Sequence, residues 1–231
     1  MRAPNADHDL WSVNADLWYH ETEVPEERPY QRPPRAGRRS GPVATADPDD
    51  GRAIVFERIE EAPLRRSDAG LVPDGDGWFI ANVAEGRGMR SERFGAACVF
   101  EGASRFREFG VNVRVLQPGQ PNALYHREDA QEAFLVLRGE CVAIVEDQER
   151  PMRAGDFLHA PNGTAHVLVG AGDGPCAILM IGTRKEPETL SYPVSATAAR
   201  YGASVEQETS DEQVAYAGTA PPEPSTIRMR W

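Results

Sequence analysis

Lysine is almost missing from this 231-residue chain: of 25 basic residues one is a lysine, Lys185, and the rest are arginines. Serine is missing altogether between Arg105 and Lys185. These two gaps exclude a Schiff-base lysine and a serine nucleophile from that stretch, leaving histidine, carboxylate and tyrosine to carry any chemistry there. The three cysteines, Cys98, Cys141 and Cys176, are odd in number, widely spaced and never paired as CxxC. That pattern excludes a disulfide framework or a zinc knot. Cys141 and Cys176 lie in apolar runs and read as buried, inert thiols. Positive charge is also short, since 36 acidic residues give a net charge of -11 and a pI near 5.0. No basic stripe exists to neutralise nucleic-acid phosphates. No apolar run approaches the roughly 20 residues of a membrane span, and the N-terminus lacks an apolar signal region. A cytoplasmic protein that binds neither nucleic acid nor membrane is the expectation.

Proline is abundant where apolar periodicity is absent. Seven prolines, including Pro33-Pro34, fall in the first fifty residues among charges of both signs. Such a segment cannot bury enough apolar surface to offset its ordering entropy. Residues 1–52 are therefore expected to be a disordered tail, with Trp11, Trp18 and Tyr19 as its apolar exceptions. From Ala53 the pattern changes. Ala53–Phe56, Trp78–Val83 and Phe94–Phe100 read as strands, and Val111, Val113 and Val115 alternate as in a half-buried strand. Further strands are expected at Ala133–Leu137, Cys141–Val145, Phe157–Ala160, Ala165–Val169 and Cys176–Ile181, with a turn at Glu146-Asp147-Gln148. Runs of about five residues at close spacing indicate an all-β antiparallel barrel or jelly roll over residues 53–185. The remainder, 186–231, reads as an extension with short helices. One is expected from Pro193 to Ala199, stopped by Gly202. Capping boxes Thr209…Glu212 and Ser210…Gln213 precede another short turn, and the end is extended or disordered.

Two clusters of polar residues punctuate the barrel. His126, Glu128 and Glu132 differ by even offsets, so a strand can present all three to one interior. His166 follows Gly155-Asp156 and the turn Pro161-Asn162-Gly163, with His159 nearby. The spacings Glu132–six residues–Gly139 and Gly155–five residues–Pro161-Asn162-Gly163–two residues–His166 resemble the two motifs of the cupin superfamily. The second motif usually ends in Asn, and Gly170 stands there instead. The first motif usually begins with Gly, five residues and His-X-His, and two registers are open. Either His126 and Glu128 occupy the histidine positions, with Gly119 one residue too far upstream, or Gly119 fits and Tyr125 and Arg127 occupy them.

The resemblance implies a double-stranded β-helix, the jelly-roll barrel of cupins. In the first register it implies a divalent metal (Fe, Mn, Ni or Zn) held by His126, His166, Glu132 and Glu128. Glu128 and Tyr125 are the candidate catalytic residues, and Arg114 and Arg127 are candidates for an anionic ligand. The implied activity is a metal-dependent oxygenase or isomerase acting on a small molecule. The alternative is a non-catalytic metabolite-binding or sensing barrel, or a degenerate structural barrel without metal. Exposed sheet faces, the apolar strips Trp78–Val83 and Phe94–Phe100, and the family's pairing through N-terminal strands lead to the expectation of a homodimer.

Overall fold

The computed structural model describes residues 43–46, 53–56, 58–103, 105–185 and 189–225. The chain divides into two compact units, Met1–Arg58 and Ile59–Trp231. In the first unit β1 (Val43–Ala46) pairs antiparallel with β2 (Ala53–Phe56). The tail expected over residues 1–52 otherwise lies outside the described residues, and its boundary falls inside this hairpin. Among the described residues no helix is long and apolar enough to cross a membrane.

The second unit is a double-stranded β-helix. In chain order it contains β3 (Leu64–Ser67), β4 (Gly70–Pro73), β5 (Arg87–Ser91), β6 (Gly95–Val99), β7 (Phe109–Leu116), β8 (Arg127–Glu128), β9 (Glu132–Arg138) and β10 (Glu140–Val145). There follow β11 (Gln148–Arg153), β12 (Phe157–Ala160), β13 (His166–Ala171), β14 (Cys176–Thr183), β15 (Leu190–Ser191), helices α1 (Ala196–Ala199) and α2 (Glu212–Ala215), and β16 (Glu223–Ser225). A seven-stranded sheet runs β12-β9-β14-β7-β6-β5-β16, and a three-stranded sheet runs β11-β10-β13. The core lies between them. Leu116, Phe134, Val136, Ile178 and Met180 from the large sheet pack against Cys141, Ala143, Met152 and Leu168 from the small one. The alternation read from Val111, Val113 and Val115 holds in β7: Leu116 enters this core, while Val113 faces the other way into a cluster with Cys98. All three cysteines are free and buried, and burial pushes the Cys98 thiol up to about 11.

Five features differ from the sequence expectations. Trp78–Val83 is not a strand, because the Asn82 side chain accepts from the Ala84 N–H and its carbonyl from Glu85 and Gly86, which closes a turn. The strip Phe94–Phe100 is no free surface: it contains β6, and Phe94 is buried against Leu124 and Tyr192. Strand β11 is unforeseen, since its sequence is polar and contains Pro151. It lies at a sheet edge, where proline is tolerated. The cap of α2 is Asp211, which accepts from Gln213 and Val214, rather than either capping box. The first helix is shorter than expected. It starts at Ala196, with the Ser195 hydroxyl accepting from Ala198 N–H.

Candidate metal centre

His126 and His166 are direct cross-strand partners. His126 N–H donates to the His166 carbonyl at 3.2 Å, and His166 N–H to the His126 carbonyl at 2.8 Å. Residues so paired project to the same face, which sets the two imidazoles side by side, 4.9 Å between ring centroids. Alternation sends Tyr125 to the opposite face. There it is buried with Ile144, Val167 and Ala198, and its hydroxyl accepts the Asp147 N–H at 2.9 Å. The structure thus brings His126 to His166 and does not bring Tyr125 with it, so the catalytic role expected for Tyr125 has no geometry behind it.

Each imidazole is oriented by a carbonyl two residues upstream. His126 Nδ1 lies 2.7 Å from Leu124 O, and His166 Nδ1 lies 2.9 Å from Thr164 O. A carbonyl only accepts, so Nδ1 carries the proton in both rings and, in the neutral tautomer, Nε2 offers a lone pair. Both lone pairs converge on Glu132. Its Oε2 is 2.8 Å from His166 Nε2 and 3.9 Å from His126 Nε2. Glu132 reaches this point from the first residue of β9, and Gly182 beside it on β14 leaves the space open. The ligand atoms of His126, Glu132 and His166 all lie within 4.8 Å of one another.

Two features show that a cation suits this cluster. His166 Nε2 and Glu132 Oε2 face each other 2.8 Å apart, and both atoms are buried with no partner beyond this contact among the described residues. Two acceptors facing each other out of water are unfavourable until a cation or a proton sits between them. The charge balance agrees. Burial raises the Glu132 carboxyl, but His166, His126 and a hydrogen bond with Glu128 outweigh it, so Glu132 is ionised below the usual carboxylate range. Burial likewise lowers His166, and Glu132 reverses the sign, holding its pKa above that of free histidine. A metal ion would replace the proton that Glu132 otherwise draws to His166.

The remaining candidates divide. Glu128, on β8 opposite Leu190 of β15, contacts the Glu132 carboxyl through that hydrogen bond. His159 is exposed on the outer side of β12. Asp129 is taken by Lys185 at 2.5 Å and Asn162 at 2.6 Å. Tyr192 was missed by sequence reasoning. It comes from the C-terminal extension and its ring stands 6.2 Å from that of His126 and 5.6 Å from that of Tyr216. No motif spacing marks it. A cavity of about 490 Å³ opens between β10, β11 and β12, lined by Val145, Gln148, Arg150, Met152 and Leu158 among others. His126, Glu132 and His166 do not line it, but Val145 is the cross-strand neighbour of His166.

Residues 112–182, which hold all three candidate ligands, match the family described as "Cupin domain". The chain contains a cupin domain. Solved structures similar to it include a sugar phosphate isomerase of the cupin superfamily from Silicibacter pomeroyi, 28% identical, with a TM-score of 0.40, covering 50% of this chain and 74% of that one. A protein from Acidithiobacillus ferrooxidans, to which sugar phosphate isomerase activity has been ascribed, is 28% identical with a TM-score of 0.35. That alignment covers 36% of this chain and 55% of the other, little more than half its length. A predicted oxalate decarboxylase from Thermotoga maritima is 19% identical with a TM-score of 0.41, covering 46% and 100%. No curated protein matches the chain. The cupin domain thus accounts for β7–β14, and both the strands before it and the extension that supplies Tyr192 lie outside the matched segment.

Proposed function

We propose that this cupin domain binds one divalent metal ion through His126, Glu132 and His166 and acts with it on a small molecule, as an oxygenase or isomerase. The observation that carries the reading is the convergence of two carbonyl-fixed imidazole lone pairs and one ionised carboxylate on a single buried point. Two nitrogens and an oxygen suit Fe, Mn, Ni or Zn, and such an ion would supply Lewis-acid activation of a substrate oxygen. The chain's own residues do the rest. Leu124 and Thr164 carbonyls hold both rings in the tautomer that offers Nε2. Phe134, 5.1 Å from the His166 ring, walls the site against water on the core side. Glu128 is the carboxylate beside the ligand set, positioned to take or return a substrate proton. Glu128 as a fourth ligand is the variant of this reading.

Elemental analysis of the full chain, purified without an affinity tag that binds metal, tests it. About one ion per chain is expected, and Glu132→Gln should lose most of it. A wild-type protein that takes up no divalent metal after incubation and desalting would contradict the reading.

The proposal extends to a cytoplasmic homodimer. On the outer face of the large sheet Phe157 is 64% exposed and Ile181 38% exposed, in line with Leu135 and Leu179. An isologous contact would bury this strip on both subunits at once. Light scattering should give twice the 25.4 kDa chain mass, and a monomer at micromolar concentration would remove the dimer.

A further inference from the structure

Five buried side-chain polar atoms among the described residues lack a hydrogen-bond partner: Nε of Arg87 and of Arg114, Oδ1 of Asn112, Oε2 of Glu132 and Nε2 of His166. The last two belong to the metal centre. The other three share its face of the sheet. Asn112 is paired with Met180 and Arg114 with Ile178, and both partners line the core. On the other side of β7, Asn112 is paired with Val99, and Val99 with Arg87 of β5. Paired residues project to one side, so Arg87, Asn112 and Arg114 stand on the inner face. Glu132 is on that face too, in a row with Gly182 and Gly110, and the Arg184 side chain lies over Gly110.

Arg114 is the anomaly: the residue is half-buried, and its Nε is enclosed without a hydrogen-bond partner. A buried guanidinium is unfavourable unless an anion accompanies it. Other arginines here have one: Arg184 contacts both oxygens of Glu101, and Arg200 meets Glu149 at 2.7 Å. Arg114 has a 3.3 Å hydrogen bond to the Phe94 carbonyl and the nearby hydroxyl of Tyr216. Its burial, with no carboxylate acting on it, lowers its pKa. Among the described residues the cation is held in place with no carboxylate paired to it.

We propose that Arg114, with Arg87 and Asn112, forms an anion subsite for the carboxylate or phosphate group of the molecule bound at the metal centre. The substrate class is then a small oxyanion-bearing metabolite. Strand spacing of about 4.8 Å and a two-residue rise of about 6.8 Å put the Asn112 backbone roughly 12 Å from that of Glu132. Side chains shorten this span from both ends, to the reach of one small molecule. The Asn112 amide, turned about its terminal bond, presents N–H donors to the same anion. Assigning the anion to the substrate rests on the metal-centre reading, whereas anion binding itself does not.

Thermal unfolding of the full chain tests the proposal, in about 10 mM inorganic phosphate or malonate against chloride at constant ionic strength, with and without prior EDTA treatment. At least one of the two anions should raise Tm by a few degrees in both preparations. Arg114→Met should abolish the shift while leaving Tm in chloride unchanged or higher, since it removes a half-buried charge that no carboxylate offsets. Arg153→Ala, on the exposed face of β11, should keep the full shift. Absence of a shift with both anions in the wild type, or an equal shift in Arg114→Met, overturns the subsite. If Arg114→Met does not fold, Arg114→Lys takes its place, with anion affinity expected to fall severalfold and unchanged affinity overturning the proposal. A wild type that binds no metal yet keeps the anion shift would refute the metal centre alone.

Discussion

The hydroxyl of Tyr125 accepts the N–H of Asp147, a non-glycine residue held at φ 61°. Tyr125→Phe orphans that N–H in a partly buried position and should cost roughly 1–2 kcal/mol in urea unfolding. Metal content should not change, because the ring points away from the imidazoles. Glu101 offers a second test at this scale. Its hydrogen bonds with Arg184 outweigh the effect of burial and hold the carboxyl below the usual range. A carboxyl depressed in the folded state stabilises above its unfolded pKa, near 4.3, and loses that contribution as pH falls through the lower folded value. Glu101→Gln should therefore be less stable at pH 7, by roughly 1–3 kcal/mol. The gap in Tm between variant and wild type should narrow toward pH 3. A gap independent of pH would show that the pair contributes through packing rather than charge.

At the scale of elements, the two-residue turn between β10 and β11 carries unusual strain. Glu146 at φ 49° and Asp147 at φ 61° both adopt the left-handed region that glycine prefers. Side-chain bonds hold it: Asp147 Oδ1 accepts from the Ser195 hydroxyl at 2.5 Å, and Glu146 Oε1 accepts from Ala165 N–H at 2.8 Å. Asp147→Ala loses the bonds from the Ser195 hydroxyl and the Thr197 N–H and keeps the backbone penalty, so it should cost roughly 1–3 kcal/mol. Asp147→Gly should cost less, since glycine relieves the backbone, and chemical denaturation of the two variants measures the difference. This turn also shows where sequence reading stops. Its position at 146–148 is plain from the polar break after Val145, yet what pins it comes from Ser195 and Thr197, some fifty residues away. By contrast, the motif residues are legible because the backbone demands them. Gly139 sits at φ 75°, where a Cβ would lie 2.6 Å from the Pro175 carbonyl. Gly170, in place of the family's usual Asn, has the Gln117 carbonyl 2.3 Å from where a Cβ would stand, so no side chain fits.

Across the whole molecule, the barrel follows from apolar runs and turn residues, whereas the C-terminal extension owes its place to tertiary contacts that no local pattern encodes. Tyr192 and Tyr216 pack with Phe94 and Leu124 beside the candidate metal centre, and β16 completes the large sheet by pairing with β5. Strand β11 escaped sequence reading for a related reason: an edge strand needs only one partner and tolerates Pro151. The ligand set itself was open between two registers, because Tyr125-His126 offers a side chain to either face. The backbone bridge between His126 and His166 places the imidazole inward.

The measurement that bears most directly on this is the metal content of His126→Ala and Tyr125→Phe, purified in full length side by side and first shown to be folded. The account predicts that His126→Ala loses most of its metal while Tyr125→Phe keeps about one ion per chain. Undiminished metal in His126→Ala, or its loss from Tyr125→Phe alone, would contradict a centre built on His126, Glu132 and His166.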